Sequence, residues 1–351
     1  MSLTIGSFNL YNFSSNEDRK YLKDYSVVAD AIIRSDADVI ALQEVVDDQA
    51  IESLMVQLRG YGGANRDWKS YFDKRQTWRN NREGYAFVWD EKSVTLVRDD
   101  DNNVVLPELM TRFTSLKRPP MVARFMTTRP GELHYELCVI NTHIIFKPDK
   151  YQEQHPEWFG SAAMRAFEYT KIVDEIYPRY ACHCNHYAVI AGDYNLSSSF
   201  LSCVNAREQQ SSNQLKMMSV QSDKSTIKTI DPKEDLEGEA EPEESKESKG
   251  FFSAIFNGVF RLLGNGTDEH ESESLVPAAE ESQVDGAYVN DYDHFSFEKD
   301  RVGRYVSSSH RINAPEELFP ALPFKFHTYK ERVSDHVPVV AKFDFHTPNS
   351  I

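Results

Sequence analysis

Five short polar clusters in this sequence combine carboxylate, amide and imidazole side chains. They are Phe8-Asn9, Gln43-Glu44, Asn141-Thr142-His143, Gly192-Asp193-Tyr194-Asn195 and Ser334-Asp335-His336. Each of the first four ends an apolar run rich in β-forming residues, and the fifth leads into such a run. Strand ends of this kind can meet on one rim of a sheet sandwich, where these side chains would suit metal-assisted hydrolysis of a phosphodiester.

The oxygen-bearing side chains predict a site for Mg²⁺, with Mn²⁺ as an alternative, because these ions prefer oxygen ligands and carboxylates in particular. Glu44 and Asp335 offer carboxylates, and Asn9 offers an amide oxygen. Asp193 and Asn195 can orient the attacking water or hold a metal.

His143 and His336 are the candidates for proton transfer. A histidine acts well as a base only where a neighbour fixes its tautomer and favours its charged form, so we expect an acidic partner for each ring. Taken singly, each polar cluster also fits an ordinary turn, loop or strand end. Their joint occurrence favours catalysis.

Strands and helices that would position these clusters alternate along the first part of the chain. Apolar spacing predicts strands at 3–10, 38–42, 85–89, 121–126, 135–141, 187–191, 287–297 and 338–345. Helical spacing predicts helices at 20–34, 49–58 and 158–177. We therefore expect one catalytic domain formed by residues 1–204 and 284–351.

Residues 205–283 differ in composition and predict an acidic, low-complexity insertion, because they carry too few apolar side chains to form a core. The stretch from Asp231 to Glu281 has 15 acidic and four basic residues, so it contributes −11 to the chain's net charge of −16. The remainder, at −5, is only mildly acidic, which a metal-dependent site for phosphates can tolerate.

Within the insertion, residues 251–263 place apolar side chains at helical spacing and predict a short amphipathic helix. Its acidic flanks favour packing on the catalytic body or on a partner protein over contact with an anionic membrane.

The chain has no apolar run long enough to cross a membrane, and its N-terminus predicts a first strand instead of a signal peptide. We therefore expect a cytoplasmic protein. Cys182 and Cys184, which flank His183, could suggest zinc. Their C-x-C spacing without a second cysteine pair favours a reduced loop.

The ordered polar clusters, together with Asp293, resemble the endonuclease/exonuclease/phosphatase superfamily, whose prototype is pancreatic-type deoxyribonuclease. The resemblance covers residues 3–204 and 284–345. It implies an α+β fold of the DNase I-like kind: a four-layer α/β sandwich in which two packed, mainly antiparallel β-sheets are flanked by helices.

Two further stretches resemble the deoxyribonuclease branch of that superfamily. Residues 82–89 are similar to its Arg/Lys-Glu-x-Tyr strand, which implies that Glu83, two residues before Tyr85, pairs with His143. Residues 117–122 are similar to its Arg-x-Pro strand start, which implies that Arg118 contacts phosphate.

A third stretch, Tyr292-Asp293-His294-Phe295, is similar to the superfamily's Tyr-Asp-Arg-Ile motif and implies that Asp293 orients His336. Asp291 is a nearby rival for that role. His294 stands where arginine is usual, which puts the contacts of that side chain in doubt.

Residues 74–82 form a basic stretch with one tryptophan, leading into Glu83. This composition predicts contacts of Arg75 and Arg79 with a nucleic-acid backbone, and stacking or groove reading by Trp78. An ordinary basic surface loop is the alternative.

The residue types and the resemblance together give the following expected roles. Catalysis is expected of His143, His336, Glu83, Asp293, Asp193 and Asn195, substrate binding of Arg118, Tyr85, Arg79, Arg75 and Trp78, and metal binding of Glu44, Asn9 and Asp335. In this scheme His336 activates water and His143 protonates the leaving oxygen or stabilises the phosphorane. The sequence leaves open whether His336 or Asp193 is the base and whether one metal acts or two.

We therefore expect an intracellular, Mg²⁺-dependent endonuclease that hydrolyses DNA. A phosphatase or phospholipase-type member acting on inositol phosphates or sphingolipids is the alternative within the superfamily, and the apolar stretch 251–263 favours it. A catalytically silent binding or regulatory module is the alternative from another class. Against it, no expected catalytic position has been lost.

Overall fold

A computed structural model describes residues 2–16, 23–61, 65–73, 83–113, 116, 118–128, 134–144, 162–181, 186–208, 216–221, 224–229 and 286–345. These residues belong to one compact unit, formed by Met1–Thr229 and Gly286–Ile351.

The strands, numbered in chain order, are β1 (Ser2–Phe13), β2 (Val39–Val45), β3 (Trp68–Phe72), β4 (Gly84–Asp90), β5 (Val94–Leu96), β6 (Glu108–Leu109), β7 (Met121–Thr127), β8 (Glu136–His143), β9 (His186–Asp193), β10 (Met217–Gln221), β11 (Ile227–Thr229), β12 (Gly286–Tyr288), β13 (Asp293–Glu298), β14 (Val306–Arg311) and β15 (Val339–Asp344). The helices are α1 (Tyr25–Arg34), α2 (Asp48–Tyr61), α3 (Ala162–Lys171), which continues as a π-helix (Ile172–Ile176) into α4 (Tyr177–Ala181), α5 (Ser198–Glu208), a 3₁₀ turn (Gly303–Tyr305), α6 (Ala314–Leu318) and α7 (Lys325–Arg332).

Two mainly antiparallel sheets pack face to face. The first has the strand order β14-β15-β1-β2-β4-β3, and the second has the order β10-β13-β9-β8-β7-β5, with β6 paired to β7. Parallel pairing occurs between β1 and β2 and between β8 and β9. A separate two-stranded ribbon is formed by β11 and β12.

Side-chain alternation along the central strands explains the layering. In β8, Leu137 and Val139 lie in the core between the two sheets, whereas Cys138 and Ile140 lie in a second core against α3 and α4. This period of two is what a strand covered on both faces requires. The outer face of the first sheet packs in the same way against α1, α2, α6 and α7. The predicted four-layer, DNase I-like sandwich is confirmed.

Strand register brings the polar strand ends to one rim. His143 of β8 lies opposite Asp193 of β9, and Asp193 lies opposite Asp293 of β13. In the first sheet, Asn9 of β1 lies opposite Gln43 of β2.

Some element boundaries differ from the predicted ones. The predicted insertion begins at residue 205, yet α5 continues to Glu208, and β10 and β11 pair with β13 and β12. Regular secondary structure in the described residues therefore continues to Thr229. The single predicted strand 287–297 is two strands, β12 and β13, and α1 begins at Tyr25 because the Asp24 side chain caps its N-terminus.

The division into a catalytic domain and an insertion stays a prediction, and the predicted helix 251–263 lies outside the described residues. Within the described part of the chain, no helix combines the length and apolarity that crossing a bilayer requires.

Gly192 allows the closest approach of backbones at the rim. Its φ is 154°, and a Cβ added there would lie 1.8 Å from the carbonyl oxygen of Thr142. We expect Gly192→Ala to lower the free energy of unfolding by at least about 2 kcal/mol, because β8 and β9 must separate. Urea unfolding of both proteins measures this.

Gly60→Ala is the matched control, because nothing lies within 4 Å of a Cβ placed at that position in α2. Alanine favours a helix over glycine by up to about 1 kcal/mol, so this variant should be as stable as the wild type or more so. Equal unfolding curves for Gly192→Ala and the wild type would contradict the close approach.

Candidate active site

One carboxylate oxygen, Oδ2 of Asp193, is shared by side chains from three other strand ends. It accepts a hydrogen bond from Asn9 Nδ2 at 3.0 Å, and it lies 3.7 Å from His143 Nε2 and 3.6 Å from His336 Nε2. Burial raises the pKa of Asp193 to about 7, and Asp293 adds to the rise while His336 opposes it. Asp193 can therefore gain or lose a proton near neutral pH.

His336 has the acidic partner that the sequence predicts. Its Nδ1 lies 2.8 Å from Asp293 Oδ2, and both residues are buried. Burial alone would lower the pKa of His336, but the carboxylates of Asp293 and Asp193 outweigh it and hold that pKa well above its usual range. The rival Asp291 is engaged elsewhere, because its Oδ2 accepts the Ser198 N–H at 3.0 Å.

Arg118 contacts both His143 and its expected partner Glu83. Arg118 Nη1 donates to His143 Nδ1 at 2.7 Å, and Glu83 Oε2 lies 2.6 Å from Arg118 Nη2. The direct pairing of Glu83 with His143 that the resemblance implies stays a prediction, although ligand atoms of the two side chains lie within 4.8 Å of each other. Tyr85 contributes its hydroxyl oxygen, which accepts the backbone N–H of His143 at 3.0 Å.

The contact with Arg118 decides the protonation of His143. A guanidinium can only donate hydrogen bonds, so Nδ1 is the acceptor and the proton of the neutral ring is on Nε2. Burial and the Arg118 charge hold the pKa of His143 well below its usual range. His143 is therefore neutral near pH 7, with its hydrogen-bond donor at Nε2, and its expected role in catalysis stays a prediction.

Glu44 is the main candidate metal ligand. Its Oε1 accepts from Asn9 Nδ2 at 3.2 Å, its Oε2 accepts the Asn12 N–H at 3.0 Å, and its φ of 57° is unusual for a glutamate. Burial raises the pKa of Glu44, with Glu83 adding to the rise, which a nearby cation would reverse. Its side chain groups with those of Glu83 and His143, ligand atom to ligand atom within 4.8 Å.

Asp335 belongs to neither of the two possible ligand groups among the described residues, the second being Asp193 with Asp293 and His336. Its Oδ1 is buried without a hydrogen-bond partner. Metal ligation by Asp335, Asn9 and Glu44 stays a prediction.

A buried network of hydrogen bonds joins the two sheets next to the site. Gln43 Nε2 donates to Asn141 Oδ1 at 2.8 Å, and Asn141 Nδ2 donates to the carbonyl oxygens of Leu42 at 3.0 Å and Ala86 at 3.1 Å. All of these contacts are buried, so the link fixes the spacing of the two sheets directly beneath the rim.

Asn195 is occupied by structural contacts. Its Nδ2 donates to the Ile144 carbonyl at 2.9 Å, its N–H donates to Asp193 Oδ1 at 2.9 Å, and its φ is 51°. Asn195 therefore positions Asp193, and alignment of water by its amide nitrogen would require that bond to break. His294 is similarly occupied, because its Nε2 donates to the Leu196 carbonyl at 2.7 Å.

Sequence reasoning missed Ser225 and Arg165. Ser225 Oγ donates to Asp293 Oδ2 at 2.6 Å, the oxygen that also faces His336 Nδ1. Arg165 of α3 interacts electrostatically with Asp193 and Tyr292. No local sequence pattern marks either residue, since Ser225 lies in a serine-rich stretch and Arg165 is a single basic residue on a helix. The predicted substrate contacts Arg75, Trp78 and Arg79, and the Cys182–Cys184 stretch, lie outside the described residues.

The sequence matches the model of a family described as the Endonuclease/Exonuclease/phosphatase family over residues 6–336. No curated protein matches the chain. Among solved structures, the chain is similar to D. rerio TDP2 complexed with a single-strand DNA product, at 11% identity, with 98% of this chain and 99% of that chain covered and a TM-score of 0.49.

Two other solved structures give similar values. The chain is similar to an endonuclease/exonuclease/phosphatase family protein from Bacteroides thetaiotaomicron, at 13% identity, with 98% of this chain and 99% of that chain covered and a TM-score of 0.48. It is also similar to the human Nocturnin catalytic domain with bound sulfate, at 13% identity, with 98% of this chain and 95% of that chain covered and a TM-score of 0.48.

The shared carboxylate can be tested by titration. In the metal-free protein, the carboxyl ¹³C signal of Asp193 should titrate with a midpoint of about 7, because burial disfavours the charged form. In His336→Ala the midpoint should rise, because the cationic neighbour that favours the carboxylate is gone.

Asp47 provides an internal reference in the same spectra. Hydrogen bonds from Ser14, Ala50 and Ser15 outweigh its burial and lower the pKa of Asp47, so it should titrate well below Asp193. Coincident midpoints for Asp47 and Asp193 would show that Asp193 is not desolvated as described.

Proposed function

Because this chain belongs to the Endonuclease/Exonuclease/phosphatase family, whose members hydrolyse phosphodiester or phosphate ester bonds, we propose that it is a divalent-metal-dependent endonuclease acting on DNA. The observation that carries the proposal is the meeting of Asn9, His143 and His336 at Asp193 Oδ2, with the Arg118 guanidinium beside His143. This arrangement puts a carboxylate, two imidazoles and a fixed cation around one point.

The donor set fits Mg²⁺ or Mn²⁺, because it consists of carboxylate and amide oxygens and includes the unpartnered Oδ1 of Asp335. Glu44 and Asn9 would hold the ion, with Asp335 as a further ligand. When bound, the ion supplies positive charge to a phosphate oxygen and acidifies water.

Asp193 is the proposed general base. A base works best with a pKa near the working pH, and the pKa of Asp193 is about 7. Hydrogen bonds from Asn195 N–H and Asn9 Nδ2 fix the orientation of the carboxylate at the centre of the site. Asp193 thereby takes the proton of the attacking water.

His336 is the proposed cationic donor. With its pKa held well above the usual range by Asp293 and Asp193, against the effect of burial, the ring carries a proton that its Nε2 can direct at a phosphate oxygen and transfer to the leaving oxygen as the P–O bond breaks. Fixed positive charge at that point stabilises the negative charge that develops on the phosphorane. Of the two bases that the sequence leaves open, we therefore favour Asp193.

His143 and Arg118 complete the phosphate contacts. The neutral His143 offers its Nε2–H, and Arg118 offers a guanidinium whose side chain is 18% exposed. Glu83 holds Arg118 in place at 2.6 Å. A partly exposed, braced arginine suits bidentate contact with a phosphate.

The choice of DNA rests on the two stretches that resemble the deoxyribonuclease branch. Glu83 and Tyr85 come from one stretch, and Arg118 comes from the other. Tyr85 and Arg118 contact His143, and Glu83 contacts Arg118. The basic stretch 74–82 directly precedes Glu83 in the sequence, which favours a polyanionic substrate over a single phosphate ester.

Purified full-length protein should nick supercoiled plasmid with Mg²⁺, and EDTA should abolish the nicking. His336→Ala should lower the rate by at least about 100-fold, because the charge that stabilises the phosphorane is lost. His310→Ala, in the exposed edge of β14, should match the wild type.

RNA, inositol phosphates and sphingomyelin are tested beside the plasmid. Turnover of a lipid or inositol phosphate without plasmid nicking would replace the proposed function with the phosphoesterase alternative. Near wild-type nicking by His336→Ala would overturn the mechanism while leaving the substrate class intact.

The Glu83→Gln variant distinguishes the observed contact of Glu83 with Arg118 from the pairing with His143 that the resemblance implies. Because Glu83 contacts Arg118 directly, at 2.6 Å, we expect KM for DNA to rise by roughly tenfold and kcat to change little. Steady-state kinetics on a short duplex measures both constants, and Glu52→Gln, on the exposed face of α2, is the control.

A double variant tests whether Glu83 affects KM through Arg118. If Glu83 acts through Arg118, adding Glu83→Gln to Arg118→Met should change KM no further. A fall in kcat with KM unchanged would instead favour a direct action of Glu83 on His143.

A further inference from the structure

Lys23, which precedes α1, is a buried cation, and the residue is 4% exposed. Its Nζ has no hydrogen-bond partner among the residues that the structure describes. The ammonium lies over the ring of Tyr11, 5.1 Å from the centroid. An unpaired ammonium inside a protein is unfavourable, so its retention calls for a reason.

Two candidate metal ligands supply that reason. Burial lowers the pKa of Lys23 to about 8, and electrostatic interaction with Asp335 and Glu44 opposes that fall, so the ammonium stays mostly charged at neutral pH. Asp335 Oδ1 and the hydroxyl of Tyr329 are also buried without partners, and Tyr329 interacts with Asp335. Lys23, Tyr329 and Asp335 thus each bury a polar atom that has no hydrogen-bond partner among the described residues.

The backbone beside Lys23 is unusual at the same place. Tyr11, Asn12 and Glu44 have φ values of 46°, 59° and 57°, and the Asn12 N–H donates to Glu44 Oε2 at 3.0 Å. Left-handed conformations at such residues cost about 1 kcal/mol or more each. The chain thus holds Glu44, and the Tyr11 ring that Lys23 faces, in one fixed arrangement.

We propose that the Lys23 ammonium is a fixed cation of the candidate metal site, which balances Glu44 and Asp335 in the metal-free protein and restricts them to a single divalent ion. This proposal rests on the proposed metal-dependent function. A fixed positive charge in a buried, low-dielectric region repels a divalent ion strongly. It weakens the binding of a first ion and opposes a second, while it limits the repulsion between the two carboxylates when no ion is bound.

Metal titration of the full chain tests the sign of this effect. Calorimetry with Mn²⁺, supported by electron paramagnetic resonance of the free ion, should give one ion per wild-type chain. Lys23→Met should bind Mn²⁺ at least about tenfold more tightly and should take up a second ion at higher concentration. Lys23→Arg, which keeps the charge, should resemble the wild type.

Two further variants control for folding and for overall charge. Lys23→Gln removes the charge but keeps a hydrogen-bonding side chain, and it should also bind more tightly. Lys342→Met removes one lysine from the exposed side of β15, opposite Thr4 and away from the rim, and it should leave Mn²⁺ binding within about twofold of the wild type. Circular dichroism confirms the fold of each variant.

Weaker or unchanged Mn²⁺ binding by both Lys23→Met and Lys23→Gln would overturn the proposal, since a lysine that merely supported Asp335 would produce that result. The outcome for the proposed function is distinguishable. If no protein in the series bound Mn²⁺, metal dependence and the Lys23 proposal would both fail. Equal single-ion binding throughout would overturn the Lys23 proposal alone.

Discussion

The site depends on the position of one oxygen atom, Oδ2 of Asp193. It lies at the end of β9 in the second sheet, yet it bonds Asn9 from the first sheet and lies within 3.7 Å of both histidine rings. A sheet sandwich can hold such a point only if the two sheets keep a fixed distance. The Gln43–Asn141 hydrogen bond, buried beneath the rim, provides that spacing.

The charged groups that contact the Nδ1 atoms of the two histidines differ in sign. Carboxylates surround His336, whereas a guanidinium touches His143, so the pKa values of the two rings move in opposite directions. His336 is thereby a cation, whereas His143 is a neutral hydrogen-bond donor. The difference comes from the neighbours at Nδ1, which are Asp293 for one ring and Arg118 for the other.

The sequence predicted the layers and most members of the site, but not which neighbours pair. Strand alternation, as in Leu137 to Ile140, reports directly on burial, so the sandwich was predictable. Motif resemblance gave Asp293 for His336, and the two side chains lie 2.8 Å apart. It also gave Glu83 for His143, but a motif identifies residues without showing that a third side chain, here Arg118, contacts both of them. Ser225 and Lys23 were not predictable, since each matters only through partners that folding brings from distant parts of the chain.

The β11–β12 ribbon has a consequence for how this chain can vary in length. Thr229 and Gly286 are paired in register at the end of the ribbon, so the two points of the described chain that residues 230–285 connect lie side by side. Loop-closure entropy then grows only logarithmically, and doubling the connecting length costs about 0.6 kcal/mol. Insertions and deletions at this position are therefore nearly neutral for folding, and the enclosed segment can diverge in length and composition while the rim of the sandwich stays unchanged.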